Sequence, residues 1–205
     1  MEEIEIKLAL MPTDQRRFMR HPLLRSATAR TNQILDNIYF DTPDLALKKY
    51  GVALRIRRQG RLRLQTVKLG GKAVAGLSIR PEWEIPYRGR FDFSAVDNLK
   101  VRRWLEQAEI LNRIAPLFQT RFRRITWHLA LESGGEVLVA LDRGDIFAGG
   151  LQEKLSEVEL ELSGSKDVAA LENISEQLML RVPLVPSGIS KAQRAYALLA
   201  TVIKR

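Results

Sequence analysis

Acidic or basic side chains recur at every second position in four short segments of the chain, and a fifth segment alternates over its first residues. The acidic segments are EIEIK (3–7), EWE (82–84) and EVELEL (157–162), and the basic ones are LRIR (54–57) and LRLQTVK (62–68). Carboxylate oxygens without histidine or cysteine among them suit hard cations such as Mg²⁺ or Mn²⁺. Arginine forks bind phosphate oxygens in pairs, and lysines act beside them as point charges. Together these residue types would suit a phosphate-rich anion held with a divalent cation.

The spacing of these residues predicts β-strands, because a period of two puts alternate side chains on one face. One face of each strand is charged and the other is apolar, as with Ile4, Ile6 and Leu8 in the first segment. An antiparallel sheet with one solvated face gives the same alternation. Within most of these strands, however, the charges have a single sign, and like neighbours repel one another. We therefore favour a closed sheet whose charged face lines an interior and whose apolar face points outward under helices.

Turn signals separate these segments and define the other elements. They lie at 59–60, 70–71, 133–135 and 149–150. The remaining patterns predict strands at about 28–40, 119–132 and 135–148, and helices near Pro12 and at 43–51, 95–115, 166–181 and 190–204. The predicted fold class is α+β and mainly antiparallel β. It is a closed eight-stranded, tunnel-like β-barrel with a charged interior and peripheral helices, in one domain that spans residues 1–205.

The composition excludes several classes of site. The chain has 205 residues, two histidines, no cysteines and a net charge of +9, so thiol chemistry is absent and a polyanionic partner is expected. We interpret His21, in a predicted loop, and His128, in a predicted strand, as structural. GGKA (70–73) lacks the spacing and the hydroxyl residue of a P-loop, and no GxSxG or HExxH motif occurs. No signal peptide and no apolar run of roughly 18 residues is found, which predicts a cytoplasmic protein without a membrane partner.

A series of motifs, ordered from residue 3 to 196, resembles the signatures of the CYTH, or triphosphate tunnel metalloenzyme, superfamily. EIEIK reproduces the ExExK signature of that superfamily, and RPEWE (80–84) is similar to its RxEyE segment. The other matching segments are NIYFDTPDLAL (37–47), GVALRIRR (51–58), TVK (66–68), TRFRRITW (120–127), ALDRGD (140–145), EVELEL (157–162) and SGISKAQRAY (187–196). The resemblance implies the same closed eight-stranded tunnel, and it is strongest to bacterial inorganic triphosphatases.

The resemblance also implies a role for each matching residue. Six carboxylates would bind or arrange the metal: Glu3, Glu5, Glu82, Asp142, Glu157 and Glu159. Five cations would clamp the triphosphate: Arg55, Arg57, Lys68, Arg124 and Lys191. Lys7, alone or with Tyr39, would position or activate the attacking water, either as a neutral base, which we favour, or as one more charged clamp residue. For six further residues the sequence leaves open whether they belong to the site or face solvent: Arg61, Arg63, Arg121, Arg123, Glu84 and Glu161.

The function that the resemblance implies is metal-dependent hydrolysis of inorganic triphosphate to pyrophosphate and phosphate, with Mg²⁺ or Mn²⁺ as cofactor. Alternatives on the same fold are a class IV-type adenylate cyclase and a thiamine or nucleoside triphosphatase. A non-catalytic module that binds polyphosphate or RNA is an alternative of another class. The acidic strands argue against it, so we do not expect a nucleic-acid partner, and the oligomeric state is left open. Related bacterial proteins often carry a C-terminal helical, histidine-rich phosphate-binding domain, and the sequence does not decide whether this chain is a single-domain version.

Overall fold

A computed structural model describes residues 2–71 and 73–203 of the chain. The described residues form one sheet of ten strands in which every pairing is antiparallel. The strands are β1 (Glu2–Leu10), β2 (Ala29–Asp41), β3 (Val52–Gln59), β4 (Leu62–Leu69), β5 (Ala73–Val74), β6 (Leu77–Pro86), β7 (Ala115–Ala130), β8 (Glu136–Ala148), β9 (Leu151–Ser163) and β10 (Leu184–Pro186). The eight long strands follow one another around the sheet in the order β1-β9-β8-β7-β2-β3-β4-β6, and β5 and β10 extend it at two places.

The sheet closes on its first strand. Residues 2–6 of β1 pair with β6, and residues 5–9 pair with β9. Because β1 joins the two ends of the strand order, the eight long strands form a closed antiparallel barrel without a free edge between them. The predicted eight-stranded barrel is confirmed.

Helices cover parts of the outer surface of this barrel. They are α1 (Gln15–Met19), α2 (Ala46–Tyr50), α3 (Leu99–Leu105), α4 (Ala108–Leu111), α5 (Val168–Met179) and α6 (Lys191–Ile203). The carboxylate of Asp167 caps α5 by accepting a hydrogen bond from the amide of Ala170. Leu171 and Leu178 of α5 belong to the same apolar cluster as Ile4 and Ile6 of β1. The apolar faces of the strands therefore point outward under helices, as predicted, and the charged faces point inward.

The helix α6 takes a different place and packs into one end of the barrel. Its residues Ala192, Ala195 and Tyr196 form a buried cluster with inward-facing aromatic side chains such as Tyr39 and Phe118. Phe118 stacks on Tyr39 at a centroid distance of 4.8 Å and meets Tyr196 edge-on at 4.9 Å. This helix brings its first residue, Lys191, into the barrel interior.

Three predictions of secondary structure need correction. Residues 95–115 do not form one helix, because Gln107 adopts an extended conformation between α3 and α4 and residue 115 already begins β7. The strand predicted at 82–84 extends over 77–86, because its first half pairs with β1. The short strands β5 and β10 were not predicted. Lys72 of the GGKA segment and Lys204 of the predicted last helix lie outside the described residues. No helix within 2–71 and 73–203 is long and apolar enough to cross a membrane.

Candidate active site

The barrel encloses a cavity of about 1800 Å³ whose wall is charged. Eleven of the residues predicted to form the site line it: Glu3, Glu5, Lys7, Tyr39, Arg55, Arg57, Lys68, Glu82, Arg124, Glu159 and Lys191. The other two, Asp142 and Glu157, lie behind this wall and are almost completely buried. The strand period of two explains the convergence, since every second residue of a closed barrel points inward.

Three of the predicted metal ligands form a compact cluster. Asp142 and Glu157 are directly opposite each other on β8 and β9, and Glu159 follows two residues later on the same face of β9. Each offers a carboxylate oxygen, and these oxygens all lie within 4.8 Å of one another. An oxygen-only set of this size fits a hard divalent cation such as Mg²⁺ or Mn²⁺.

Cationic side chains of the chain reach into this cluster. Arg124 forms a bidentate ion pair with Asp142, with both nitrogen–oxygen distances at 2.7 Å, and it also contacts Glu159. Burial alone would raise the pKa of the Glu159 carboxyl, but attraction by Lys191, Lys7 and Arg124 outweighs it and lowers that pKa well below its usual range. The pKa of the Asp142 carboxyl is also lowered. Burial alone would raise it, but attraction by Arg124 and Lys191 outweighs that effect. Both carboxylates are therefore charged at neutral pH.

The other three predicted metal ligands lie outside this compact cluster. Lys68 Nζ lies 2.6 Å from a carboxylate oxygen of Glu3 and 2.7 Å from one of Glu82. Glu5 receives a hydrogen bond of 2.6 Å from Arg80 and lies 3.8 Å from Lys7 Nζ. Lys7 therefore connects Glu5 to the cluster, whereas Glu3 and Glu82 form a separate acidic group around Lys68.

Arg80 is a site residue that the sequence reasoning did not assign. Its guanidinium binds Glu3 at 3.0 Å and Glu5 at 2.6 Å, and it lines the cavity. The sequence contains a signal for this role, since residues two apart on a strand point to the same face. Arg80 is two residues before Glu82 on β6 and therefore shares its inward face.

Two arginines of β3 create a region of positive potential in the cavity wall. Arg55 Nε donates to Thr66 at 3.3 Å, and Arg57 Nε donates to Asn37 at 2.9 Å. Burial, together with repulsion from Arg55 and Arg124, lowers the pKa of Arg57 to about 10. Arg57 stays charged at neutral pH, but it has no ion pair among the described residues. A partly buried cation in this situation favours an anionic ligand.

Lys7 and Tyr39, the predicted catalytic pair, both line the cavity. Burial alone would lower the pKa of Lys7, but attraction by Glu159, Glu5 and Glu157 outweighs it and raises that pKa above its ordinary value. A charged Lys7 disfavours the neutral base that we preferred from the sequence. Burial would raise the pKa of Tyr39, but Arg55 outweighs it and lowers that pKa.

The residues left unassigned fall into two groups. Arg61, Arg63, Arg121 and Arg123 are exposed and do not line the cavity, whereas Glu84 and Glu161 line it. Thr66 donates a hydrogen bond of 2.8 Å to Glu84. The histidines have local contacts: His21 accepts from the amide of Leu23, and His128 lies 3.0 Å from Glu136.

The chain's excess positive charge is not concentrated in the cavity. Eight acidic and nine basic residues line it, with two more carboxylates, Asp142 and Glu157, directly behind the wall. Most of the net charge of +9 therefore lies on the outside of the barrel, where Arg121 and Arg123 are examples.

Glu161→Gln is expected to change how the stability of the protein depends on pH. Burial, with repulsion from Glu3 and Glu82, raises the pKa of Glu161 to about 7. The folded state then binds more protons than the unfolded state from about pH 4.5 to 7, so the free energy of unfolding falls as pH rises through this window. The glutamine variant should be the more stable protein at about pH 8, by roughly 1–3 kcal/mol after allowance for solvent screening.

Urea unfolding in EDTA across this pH range measures the effect. Glu132→Gln, in the exposed turn between β7 and β8, is the control and should leave the pH dependence unchanged. An identical slope for Glu161→Gln and the wild type would contradict the prediction.

Comparison with known proteins identifies the family of this charged barrel. The chain belongs to the CYTH domain family, which matches it over residues 1–196. It is 32% identical to an inorganic triphosphatase of Haemophilus influenzae over 97% of this chain and 55% of that protein. The chain therefore spans about half the length of this curated relative.

Solved structures show the same fold. HpAC1 from Hippeastrum, for which a dominant triphosphatase activity is described, matches with a TM-score of 0.65 at 20% identity, over 97% of this chain and 95% of that one. A Bacillus halodurans protein described as a candidate adenylate cyclase matches with a TM-score of 0.56 at 22% identity, over 94% of this chain and 96% of that one. At these identities the likeness concerns the fold.

Proposed function

We propose that this chain hydrolyses inorganic triphosphate to pyrophosphate and phosphate with the help of a divalent cation. The observation that carries this proposal is that a three-carboxylate cluster lies at the wall of the cavity that Arg57 also lines, and Arg57 has no ion pair among residues 2–71 and 73–203. The Haemophilus influenzae relative, an inorganic triphosphatase, supports it. We further propose that residues 1–205 act as a single CYTH-like domain, and that the cysteine-free chain works in the cytoplasm.

In the proposed reaction the two sets of side chains have separate tasks. Asp142, Glu157 and Glu159 would hold Mg²⁺ or Mn²⁺, with Glu5 nearby. The bound ion would neutralise charge on phosphate oxygens. The cations that would bind and align the phosphate chain are Arg55, Arg57, Lys68, Arg80, Arg124 and Lys191. Phosphoryl transfer needs mainly positioning and charge stabilisation, which is what this wall of fixed charges provides.

Two observations favour an inorganic anion over the alternatives. A module that only binds polyanions would not need the buried carboxylates of Asp142 and Glu157. A nucleotide needs an apolar slot for its base, but Trp104 and Trp127 pack outside the barrel, on Tyr50 and Phe18. Trp83 borders the cavity but packs in an outer apolar cluster.

A phosphate-release screen tests the proposal. With Mg²⁺ or Mn²⁺ we expect kcat/KM for tripolyphosphate to exceed that for ATP and thiamine triphosphate by about tenfold or more, since the charged wall recognises phosphate groups alone. Zinc should substitute poorly, because the ligands are all hard oxygens. Full activity in excess EDTA would contradict the metal requirement, and cyclic AMP as the main product from ATP would identify a cyclase instead.

A further inference from the structure

In this structure the three carboxylates that fit a divalent cation are bridged by an ammonium group of the chain itself. Lys191 Nζ lies 2.6 Å from Asp142, 2.5 Å from Glu157 and 2.9 Å from Glu159. A single ammonium thus pairs with the same three carboxylates that would hold a metal ion. The ligand oxygens lie within 4.8 Å of one another, so the space between them has room for one cation at a time.

Lys7, from β1, contacts two of the same carboxylates. Its Nζ contacts Glu159 and lies 3.7 Å from Glu157. Both lysines line the cavity, and a lysine carries its charge on a flexible stem with rotatable donors. If they left the carboxylates without finding another anion, two buried charges would remain uncompensated, which carries a large free-energy penalty.

We infer that Lys191, assisted by Lys7, couples the binding of the divalent cation to the binding of the phosphate chain. When a cation enters the carboxylate cluster, the ammonium groups turn to phosphate oxygens in the cavity. The inference rests on the proposed function for the identity of the anion. By thermodynamic linkage each ligand then raises the affinity for the other by the same factor. The two lysines would therefore exchange one anionic partner for another.

The first test measures Mn²⁺ binding in the absence of any phosphate, by calorimetry and by electron paramagnetic resonance of the free ion. Lys191→Met removes the competing ammonium and should bind Mn²⁺ about tenfold more tightly than the wild type, within the usual range of coupling between sites. Lys166→Met, at the exposed rim of the cavity, controls for the general loss of one positive charge. An affinity gain no larger than that of this control would overturn the inference.

The second test measures the other half of the exchange. In EDTA, Glu159→Gln frees Lys7 and Lys191 from one of their carboxylates, so it should bind tripolyphosphate about tenfold more tightly than the wild type. Glu2→Gln, exposed at the rim, is the charge control. Equal or weaker binding by Glu159→Gln relative to this control would also overturn the inference.

Both measurements are independent of turnover, so the inference and the proposed function fail separately. If the wild type hydrolyses no triphosphate but both variants show their affinity gains, only the proposed function is refuted. An active triphosphatase without these gains would refute only the coupling. Circular dichroism verifies that each variant is folded, and Lys7→Met, for which the same tighter Mn²⁺ binding is expected, replaces Lys191→Met if that variant does not fold.

Discussion

Glu159→Gln is expected to lower kcat/KM for tripolyphosphate by about three orders of magnitude, through kcat. The carboxylate of Glu159 contacts Lys7, Lys191 and Arg124 and belongs to the three-carboxylate cluster. Removing one preorganised charge from such a site typically costs a hundred- to a thousandfold in rate, and weaker metal binding adds to this. Steady-state phosphate release with saturating Mn²⁺ measures the effect.

The variant should also be less stable, because Lys7, Lys191 and Arg124 lose one shared partner. The expected loss is roughly 3–5 kcal/mol, so the assay has to be run well below the melting temperature of the variant. Glu153→Gln is a matched control on the same strand. Glu153 pairs with Arg194 and does not line the cavity, so its replacement should change kcat/KM by less than about threefold. A similar loss in both variants would show that the effect of Glu159→Gln is not specific.

The second large effect is expected at Lys7, where two substitutions separate charge from proton transfer. Lys7→Ala should lower kcat/KM for tripolyphosphate by roughly two to three orders of magnitude, because Glu5, Glu157 and Glu159 lose a shared buried cation and phosphate loses a ligand. Lys7→Arg keeps the charge but cannot act as a base. If Lys7 is a charged clamp residue, as its raised pKa favours, the arginine variant should keep kcat within about tenfold and show a higher KM.

The contrary result is equally specific. A loss of kcat by about a hundredfold or more in Lys7→Arg, with KM unchanged, would assign Lys7 as the general base. The pH profile of kcat gives a second readout, since a base role requires the wild-type rate to rise with pH and the arginine variant to lose that rise.

Strand parity made most of this barrel predictable. Alternation in EIEIK and EVELEL placed Glu3, Glu5, Glu157 and Glu159 on inward faces, because a closed sheet repeats its side-chain direction every two residues. The same rule applied to RPEWE would have added Arg80. The helix at 95–115 was wrong because the extended conformation at Gln107 has no strong sequence signal.

Contacts between distant elements were beyond prediction. Nothing local in SKAQRAY indicates that Lys191 reaches the carboxylates of β8 and β9, which lie on strands far away in the chain. The short strands β5 and β10 have two and three residues and exist because a neighbouring strand is available to pair with them. The predicted roles of the site residues stay predictions until the variants are measured.

The closure of the sheet on β1 has a consequence for how the molecule folds. Residues 5–9 pair with residues 157–161, so this contact joins segments about 150 residues apart. Such non-local pairing carries a high entropic cost of loop closure and is typical of slow folding, in milliseconds to seconds. During synthesis at about 5–20 residues per second, β9 leaves the ribosome roughly 8–30 s after β1. Over that interval β1 lacks its partner β9, and the site cannot assemble until β9 and then Lys191 of α6 have been synthesised.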